Sequence, residues 1–392
     1  MPVRILHLAD LHIGYLPGFL SPEKARARSE DFKSAFQRAV DYALKPENAI
    51  KAMIIAGDLF DCSLPDETVR GFVRAQLGRL STASIPALII PGTHDTIALP
   101  ESVYRKESFP SGVHVLAEPF STAPLELVLN GEKFYFYWLT HEPGEKRTVA
   151  EFLAGVKASL PEDGYRIFVA HASLKGSPEW DMRRKDLPVA LEDLLSSGMH
   201  YVALGHYHGF SESPQGGGRA ETKVVYPGTL EGKAFGENGP RYLVVASFED
   251  GRVRVEKHPF NKRVLEEKVF SLDLEPVSDE EELLEKLESL GNENLLLKLT
   301  VTGRPDFVVR SDFLTGALAG KFFYIEIDDA TSLLSSLPVE EILGERTIRG
   351  MFVRKLKEAI AATPEPATYE LALKEGLSAF AEKGIVKHAP KK

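Results

Sequence analysis

Residues 3–14 read Val-Arg-Ile-Leu-His-Leu-Ala-Asp-Leu-His-Ile-Gly, an apolar run that ends at a carboxylate and an imidazole. The run predicts a buried strand with polar side chains just beyond its end. Two similar runs, Ala52–Ala56 and Ala87–Ile90, also lead into Gly, Asp and His residues. Helical spacing over 29–43 and 67–80 separates the three runs. This alternation predicts a layered α/β domain.

The rest of the first 262 residues is richer in predicted strands. Asn130-Gly131 and Asp250-Gly251 are the strongest hairpin signals among the short polar turns. The predicted strands are Leu125–Leu129, Phe134–Leu139, Arg166–His171, Tyr201–Leu204, Lys223–Tyr226, Tyr242–Phe248 and Val253–His258. We therefore predict a two-sheet α/β sandwich, in which the sheets face each other and helices lie outside.

The pattern changes after residue 262. Short predicted strands alternate with two helices over 263–337, which predicts a small α+β domain. Residues 338–392 have a helical pattern to near the end, apart from a break at 364–366. We expect three parts: a domain over 1–262, the α+β domain and a helical C-terminal segment.

Composition bounds the class of protein. The chain has 392 residues, enough for two or three domains. No run approaches the ~18 apolar residues of a membrane span. The single cysteine, Cys62, excludes an internal disulfide framework and a cysteine-based zinc site, so we expect a soluble protein of the reducing cytoplasm.

The net charge of −10 does not exclude a nucleic-acid substrate. Residues 263–337 carry 7 basic and 16 acidic side chains, whereas residues 1–262 carry 30 and 33. Because most of the acidity falls in one segment, a locally positive groove in the first 262 residues is still allowed.

Five short segments place metal-binding side chains directly after predicted strands. Open α/β sheets carry their ligand sites at strand ends, and carboxylate with imidazole suits Mn, Fe or Zn. Alternate side chains share one side of an extended chain, so Asp-x-His and His-x-His can each reach one ion. The segments are Asp10-Leu11-His12, Gly57-Asp58-Leu59-Phe60-Asp61, Gly92-Thr93-His94-Asp95, His171-Ala172-Ser173 and Gly205-His206-Tyr207-His208. Together they predict one metal centre.

The order of these segments resembles the pattern of the calcineurin-like metallophosphoesterases. Within that superfamily the sequence is similar to the SbcD-type DNA repair nucleases, relatives of the archaeal and eukaryotic Mre nucleases. The narrower likeness depends on residues 8–14, on 226–231 (Tyr-Pro-Gly-Thr-Leu-Glu) and on 235–237 (Phe-Gly-Glu). It covers about residues 1–335 and implies a metallophosphoesterase sandwich with a small α+β capping domain, followed by C-terminal helices.

The resemblance also implies two divalent ions, expected to be Mn, that neutralise a phosphodiester and activate a bound water. The implied ligands are Asp10, His12, Asp58 and His208 for the first ion, and Asp58, His171 and His206 for the second. His94 would act on the scissile phosphate as an acid or a transition-state stabiliser, oriented by Asp95. Thr93 stands where the family has an Asn ligand of the second ion. Since its hydroxyl is shorter and a weaker ligand, we expect that ion to be weakly held.

Two further sets of residues are candidates for contacts with partners. The basic residues Lys24, Arg26, Arg28, Arg183, Arg184 and Lys185 could touch a DNA backbone, with a solvated surface as the alternative. The apolar residues Ile348, Phe352, Leu356, Leu373 and Leu377 form stripes at helical spacing. They could pack on their own domain or bind a partner, which the resemblance implies to be an SbcC-type coiled-coil ATPase. A homodimer is left open, and no membrane contact is expected.

We predict a metal-dependent DNA exo- or endonuclease that hydrolyses phosphodiester bonds in DNA repair or end processing, together with the ATPase. A small-molecule phosphodiesterase is one alternative, although the appended domain and helices argue against it. A DNA-end or partner scaffold without catalysis is the other, motivated by Thr93. Two bound ions per chain would favour catalysis, whereas one or none would favour the scaffold.

Overall fold

The computed structural model describes residues 2–118, 121–140, 148–177, 179–180, 186–213, 222–305, 307–331, 342–363 and 367–382. The chain divides into two compact units, Met1–Val264 and Leu265–Lys392. The division into three parts at 262 and 337 stays a prediction.

The first unit alternates strands and helices as expected. Its strands are β1 (Val3–Leu8), β2 (Ile50–Ala56), β3 (Ala87–Ile90), β4 (Val113–Val115), β5 (Leu125–Leu129), β6 (Glu132–Leu139), β7 (Tyr165–His171), β8 (Tyr201–Gly205), β9 (Ser211–Ser213), β10 (Lys223–Tyr226), β11 (Tyr242–Glu249) and β12 (Arg252–Pro259). Its helices are α1 (Pro22–Leu44), the short 3₁₀ helix Pro46–Asn48, α2 (Glu67–Thr82), α3 (Val103–Lys106), α4 (Val149–Lys157) and α5 (Leu191–Leu195). The sequence patterns missed α3, α4, α5, β4 and β9, most of which are short.

The described strands of this unit form two sheets of six strands each. One sheet has the order β12-β11-β1-β2-β3-β4, and the other has β5-β6-β7-β8-β10-β9. In the first sheet β1 to β4 run parallel, and β11 pairs antiparallel with β1 and β12. In the second sheet β6, β7, β8 and β10 run parallel. Parallel strands bring their carboxyl ends to one edge of each sheet.

Alternate side chains of the strands form separate apolar layers. Ile5 and Ile54 of the first sheet share the core between the sheets with Phe136 of the second. On the opposite face of the first sheet, α1 and α2 bury residues such as Phe36 and Leu77. Helix α4 covers the outer face of the second sheet. The predicted two-sheet α/β sandwich is confirmed.

Helix α1 begins earlier than its apolar spacing indicates. The Ser21 side chain accepts a hydrogen bond from the Lys24 amide, and Pro22 stands in the first turn, so both residues favour a helix start here. The first two turns are rich in charged residues. For this reason the sequence pattern placed the start near Ser29.

The second unit combines a small sheet with helices. Its elements are β13 (Val264–Ser271), α6 (Glu280–Glu288), β14 (Asn292–Gly303), α7 (Ser311–Leu318), β15 (Phe322–Thr331), α8 (Ile348–Ala362) and α9 (Ala367–Glu382). The sheet order is β13-β14-β15, with β14 parallel to β15. The predicted break at 364–366 lies outside the described residues.

Helices α8 and α9 bury part of their apolar stripes in a cluster of their own. Leu373 is 1% exposed and Leu377 5%, and both pack with Val353 and Ile342. Phe352 and Leu356 lie against the same cluster and are partly buried. Leu373 and Leu377 therefore serve this packing, which corrects their assignment to a partner surface. Ile348 is 72% exposed.

Among the described residues, no helix combines the length and the apolar character needed to cross a bilayer.

Candidate metal centre

The polar segments that follow β1, β2, β7 and β8 converge in the first unit. Their candidate ligands are nearly inaccessible, with exposed fractions of 7% or less for Asp10, His12, Asp58, His171, His206 and His208. Among the described residues there are three groups of candidate ligands, and within each group the ligand atoms lie within 4.8 Å of one another. These groups are Asp10 with His12 and His208, Asp10 with Asp58 and His171, and His12 with Asp58 and His94.

The backbone is strained where it presents these ligands. Asp10, His12 and Asp58 have φ values of 52°, 44° and 50°, and His206 has a φ of 104°. Positive φ is uncommon for residues other than glycine and costs of order 1–3 kcal/mol where it persists. Gly92 shows how little space is left, because a Cβ there would lie 2.1 Å from Asp58 Oδ1. Such concentrated strain is typical of functional sites.

The hydrogen bonds of His171 leave one of its nitrogens directed at the centre. Its Nδ1 lies 2.9 Å from the Ala56 carbonyl oxygen, and because a carbonyl only accepts, Nδ1 carries the proton of the neutral ring. Nε2 is buried and makes no hydrogen bond among the described residues. A buried ring nitrogen without a hydrogen-bond partner fits a metal ligand, once a metal ion has displaced any proton on it.

His12 and His208 are oriented in the same manner by carboxylates. Asp61 Oδ1 lies 3.1 Å from His12 Nδ1, and Glu237 Oε1 lies 2.6 Å from His208 Nδ1. The two Nε2 atoms lie 3.3 Å apart, and in the tautomers that direct both Nδ1 protons to the carboxylates they face each other as lone pairs. A shared cation would stabilise this arrangement, and carboxylate–histidine pairs recur around metal sites.

Asp58 is placed between the two groups of ligands. Its Oδ2 lies 3.4 Å from His171 Nε2 and 3.8 Å from His12 Nε2. Its Oδ1 accepts a hydrogen bond from the His94 amide at 2.8 Å. One carboxylate oxygen therefore faces both sets of imidazoles.

The electrostatics of the protein groups in the centre show what a cation would replace. Burial lowers the pKa of His171, but the carboxylates of Asp58 and Asp10 outweigh it and raise that pKa to about 10. Burial acts against the charged form of Asp58, yet His171 and the other imidazoles hold its pKa well below the usual range. Burial raises the pKa of Asp10 to about 6 and lowers that of His12 to about 3. The proton on His171 supplies positive charge that a metal ion would provide.

His94 lies at the rim of the centre, with its side chain 45% exposed. Its Nδ1 faces Asp61, 3.2 Å from the carbonyl oxygen and 3.7 Å from Oδ1. Asp95 does not orient it, which corrects the sequence prediction. The buried Asp95 carboxylate accepts hydrogen bonds from the amides of Gly92 and Phe60 and from the Tyr104 hydroxyl. Asp95 thus holds the loop that carries Thr93 and His94.

Comparison with known proteins places this site in a family. The sequence model of the calcineurin-like phosphoesterases matches residues 3–210, just over half of the chain. The chain belongs to this family. The recognition based on the five segments is confirmed, and the matched region holds all the candidate metal ligands.

Several curated proteins are similar to this calcineurin-like phosphoesterase. The DNA double-strand break repair protein Mre11 of Methanosarcina mazei is 25% identical over 91% of the chain and 50% of that protein. Mre11 of Saccharolobus solfataricus is 29% identical over 53% of the chain and 49% of that protein. The uncharacterized metallophosphoesterase YhaO of Bacillus subtilis is 27% identical over 65% of the chain and 59% of that protein. The chain thus spans about half the length of the curated relatives it matches.

The ligands predicted for the second ion are less tightly gathered in this phosphoesterase. Among the described residues, His206 belongs to none of the three close groups, although its ring centroid lies 5.2 Å from that of His171. Its amide donates to both oxygens of Asp10 at 3.1 Å. Thr93 is partly exposed, one residue after Gly92. The predicted weakness of the second ion stays a prediction.

The residues predicted to contact DNA differ in how deeply they are buried. Arg28 is 1% exposed and pairs with Glu231 at 2.8 Å and Asp31 at 3.3 Å, so its assignment to a DNA surface is wrong. Arg26 is exposed, and Lys24 is partly exposed. The remaining candidates, Arg183, Arg184 and Lys185, lie outside the described residues.

Sequence reasoning missed the residues that hold the ligands. Asp61 and Glu237 stood in the quoted motifs, but no role was given to them. Lys233, between two such motifs, carried no signal, and its Nζ donates to Asp61 Oδ1 at 2.7 Å. Glu179 accepts hydrogen bonds from the amides of His208 and Gly209. Their partners are distant in sequence, so spacing alone could not reveal them.

Proposed function

We propose that the chain is a two-metal phosphodiesterase that cuts DNA as an exo- or endonuclease. The convergence of three oriented imidazoles, His12, His171 and His208, on the carboxylates of Asp10 and Asp58 carries the proposal. Each imidazole has its Nδ1 held by an acceptor and its Nε2 directed inward. Similarity to Mre11 proteins along 91% of the chain supports DNA as the substrate.

The donor set fits two divalent cations of intermediate hardness, with Mn²⁺ as the proposed metal. Asp10, His12, Asp58 and His208 would hold the first ion, and Asp58, His171 and His206, with Thr93 nearby, would hold the second. When bound, such ions neutralise the phosphodiester and lower the pKa of a coordinated water. His94 stands at the exposed rim, where its imidazole can donate a proton to the leaving oxygen. Asp61 faces Nδ1 of the His94 ring, on the side away from the leaving oxygen, and keeps the ring oriented.

The proposal extends to surfaces outside the centre. Lys24 and Arg26 lie on the first turns of α1, where cations can pair with the phosphates of a bound strand. The exposed Ile348 on α8, with the partly buried Phe352 and Leu356, is proposed to receive an SbcC-type coiled-coil ATPase through apolar contacts between helices. Hydrolysis of DNA labelled at one end would give the polarity of cleavage, and the mass of the protein in solution would test for a homodimer.

The test is hydrolysis of DNA by metal-stripped protein before and after addition of Mn²⁺. We expect cleavage that depends on Mn²⁺ and is lost in Asp58→Asn, which keeps the shape of the bridging carboxylate but removes its charge. Mn²⁺-dependent hydrolysis of bis-p-nitrophenyl phosphate without cleavage of DNA would favour a small-molecule phosphodiesterase. Binding of one ion or none, without hydrolysis of either substrate, would favour a scaffold.

A further inference from the structure

Two carboxylates that contact ligand histidines are connected through one residue, Lys233. Its ammonium Nζ donates to Asp61 Oδ1 at 2.7 Å, and its backbone amide donates to Glu237 Oε2 at 2.7 Å. These are the carboxylates that face Nδ1 of His12, at 3.1 Å, and Nδ1 of His208, at 2.6 Å. A single lysine therefore bonds to both supports of the first group of ligands.

Lys233 is itself held at several points. Its carbonyl oxygen accepts a hydrogen bond from the Tyr15 hydroxyl at 3.1 Å, and its ammonium lies 4.8 Å from the centroid of the Tyr15 ring. Its side chain is 13% exposed. With its amide, carbonyl and ammonium groups all bonded, Lys233 has little freedom to move.

The segment before Lys233 is anchored by a buried ion pair. Arg28 donates to Glu231 Oε2 at 2.8 Å and to the Gly232 carbonyl oxygen at 2.6 Å. Both Arg28 and Glu231 are 1% exposed. Helix α1 therefore fixes the chain at 231–232, one residue before the lysine.

The ammonium of Lys233 also lies 3.1 Å from His12 Nδ1. Because an ammonium group can only donate, it bonds to Nδ1 in the tautomer that carries the ring proton on Nε2, whereas in the other tautomer Nδ1 directs its proton to Asp61. The shorter bond of Lys233, at 2.7 Å, is the one to Asp61, and it stabilises the carboxylate as the acceptor that a metal-binding His12, with Nε2 free of a proton, requires.

We propose that Lys233 is a positioning residue of the metal centre, where it holds the two carboxylates that orient the ligand histidines. The inference rests on the metal centre of the proposed function, and it requires neither DNA nor turnover for its test. The inference predicts the direction in which removal of Lys233 changes the affinity for the metal. As a mere positive charge near the site, Lys233 would repel a cation, and its removal would tighten metal binding. As a positioning residue, its removal must weaken metal binding.

The test is the affinity of the metal-free full chain for Mn²⁺, measured by calorimetry in wild type and Lys233→Met. Methionine keeps the apolar stem and the backbone amide but removes the ammonium. We expect the dissociation constant of one of the two ions to rise about tenfold or more, the range seen when a support of a metal ligand is lost. Lys257→Met is the matched control, because Lys257 also lies over aromatic rings, 4.4 Å from Phe210 and 4.6 Å from Tyr242.

Three further measurements separate positioning from general stability. Lys233→Arg should recover part of the affinity, since a guanidinium can donate to Asp61. The effects of Lys233→Met and Asp61→Asn should not add, because both remove the same bond. The melting temperature of the metal-free protein should change no more than in Lys257→Met. Should Lys233→Met fail to fold, Lys233→Gln replaces it with a neutral donor.

Unchanged or tighter Mn²⁺ binding in the Lys233 variants would overturn the inference and leave the proposed function standing. A wild-type protein that binds no Mn²⁺ would overturn the metal centre itself, and with it both proposals.

Discussion

At the scale of single residues, His94 differs from the metal ligands in being exposed. Its side chain is 45% accessible, whereas Asp58 and His12 beside it are buried. We expect His94→Ala to retain its metal ions and to lower turnover by the ~10²–10⁴-fold typical of a missing general acid. Metal analysis and kcat for a DNA substrate with Mn²⁺ measure the two effects. Loss of a metal ion in this variant would show that His94 is a ligand.

Thr93 stands where the resemblance implies an asparagine ligand of the second ion. We expect the second ion to be weakly held, so that activity needs high Mn²⁺, because a threonine hydroxyl is shorter than an asparagine amide. Thr93→Asn should lower the Mn²⁺ concentration for half-maximal hydrolysis by about ten- to a hundredfold, where tenfold corresponds to about 1.4 kcal/mol of binding. Mn²⁺ titrations of both proteins on one DNA substrate make the comparison, and superimposable curves would refute the expectation.

His171 couples metal binding to protons. Its pKa, raised to about 10 by Asp58 and Asp10 against the effect of burial, means that the metal-free protein carries this proton at neutral pH. A metal ion must displace it, so affinity for Mn²⁺ should rise about tenfold per pH unit between pH 7 and 8. Calorimetry in buffers of different ionisation enthalpy should show release of about one proton. Binding without proton release would mean that His171 is not a ligand.

At the scale of elements, Arg28 connects α1 to the segment that carries Lys233. We expect Arg28→Ala to lower the free energy of unfolding by about 3 kcal/mol, because it leaves the buried Glu231 carboxylate without its closest charged partner. Arg26→Ala is the matched control on the same helix. It is exposed and should change stability by no more than about 0.5 kcal/mol. Urea denaturation of the metal-free proteins measures both.

Substitution of the same two arginines should also affect the binding of DNA differently. Only Arg26 can reach a phosphate, so its loss should weaken binding of DNA while the fold is retained. Equal stability losses in both variants would contradict the burial of Arg28.

The elements themselves were largely predictable from the sequence. Apolar runs such as 3–8 and 87–90 are strands because both faces are buried, and the polar residues after them meet because parallel strands end at one edge. Arg28 was misread because it was judged by its charge alone. Its position, four and eight residues before Phe32 and Phe36, puts it on the buried face of the helix. Asp95 was misread because its partners include Tyr104 and Phe60, whose positions depend on how the loops fold.

At the scale of the whole molecule, the candidate metal ligands all belong to the first unit. The unit Met1–Val264 contains every residue from Asp10 to His208, together with Glu237 and Lys233 that support them. The helices α8 and α9 belong to the second unit and pack on each other through Val353, Leu373 and Leu377. The chemistry and the proposed partner surface are thus carried by different units.

Removal of residues 338–392 should therefore separate the two activities. We expect the shortened chain to keep Mn²⁺-dependent hydrolysis, since no ligand is lost, and to lose binding to an SbcC-type coiled coil.

Ile348→Glu in the full chain is the matched point variant, because Ile348 is 72% exposed and contributes nothing to the buried cluster of α8 and α9. It should also lose the coiled coil while its helical content is unchanged. Pull-down of the coiled coil and hydrolysis of DNA by all three proteins give the result. Equal capture by the full and shortened chains would exclude these helices as the partner site, and loss of bound metal on truncation would show that the helices support the first unit.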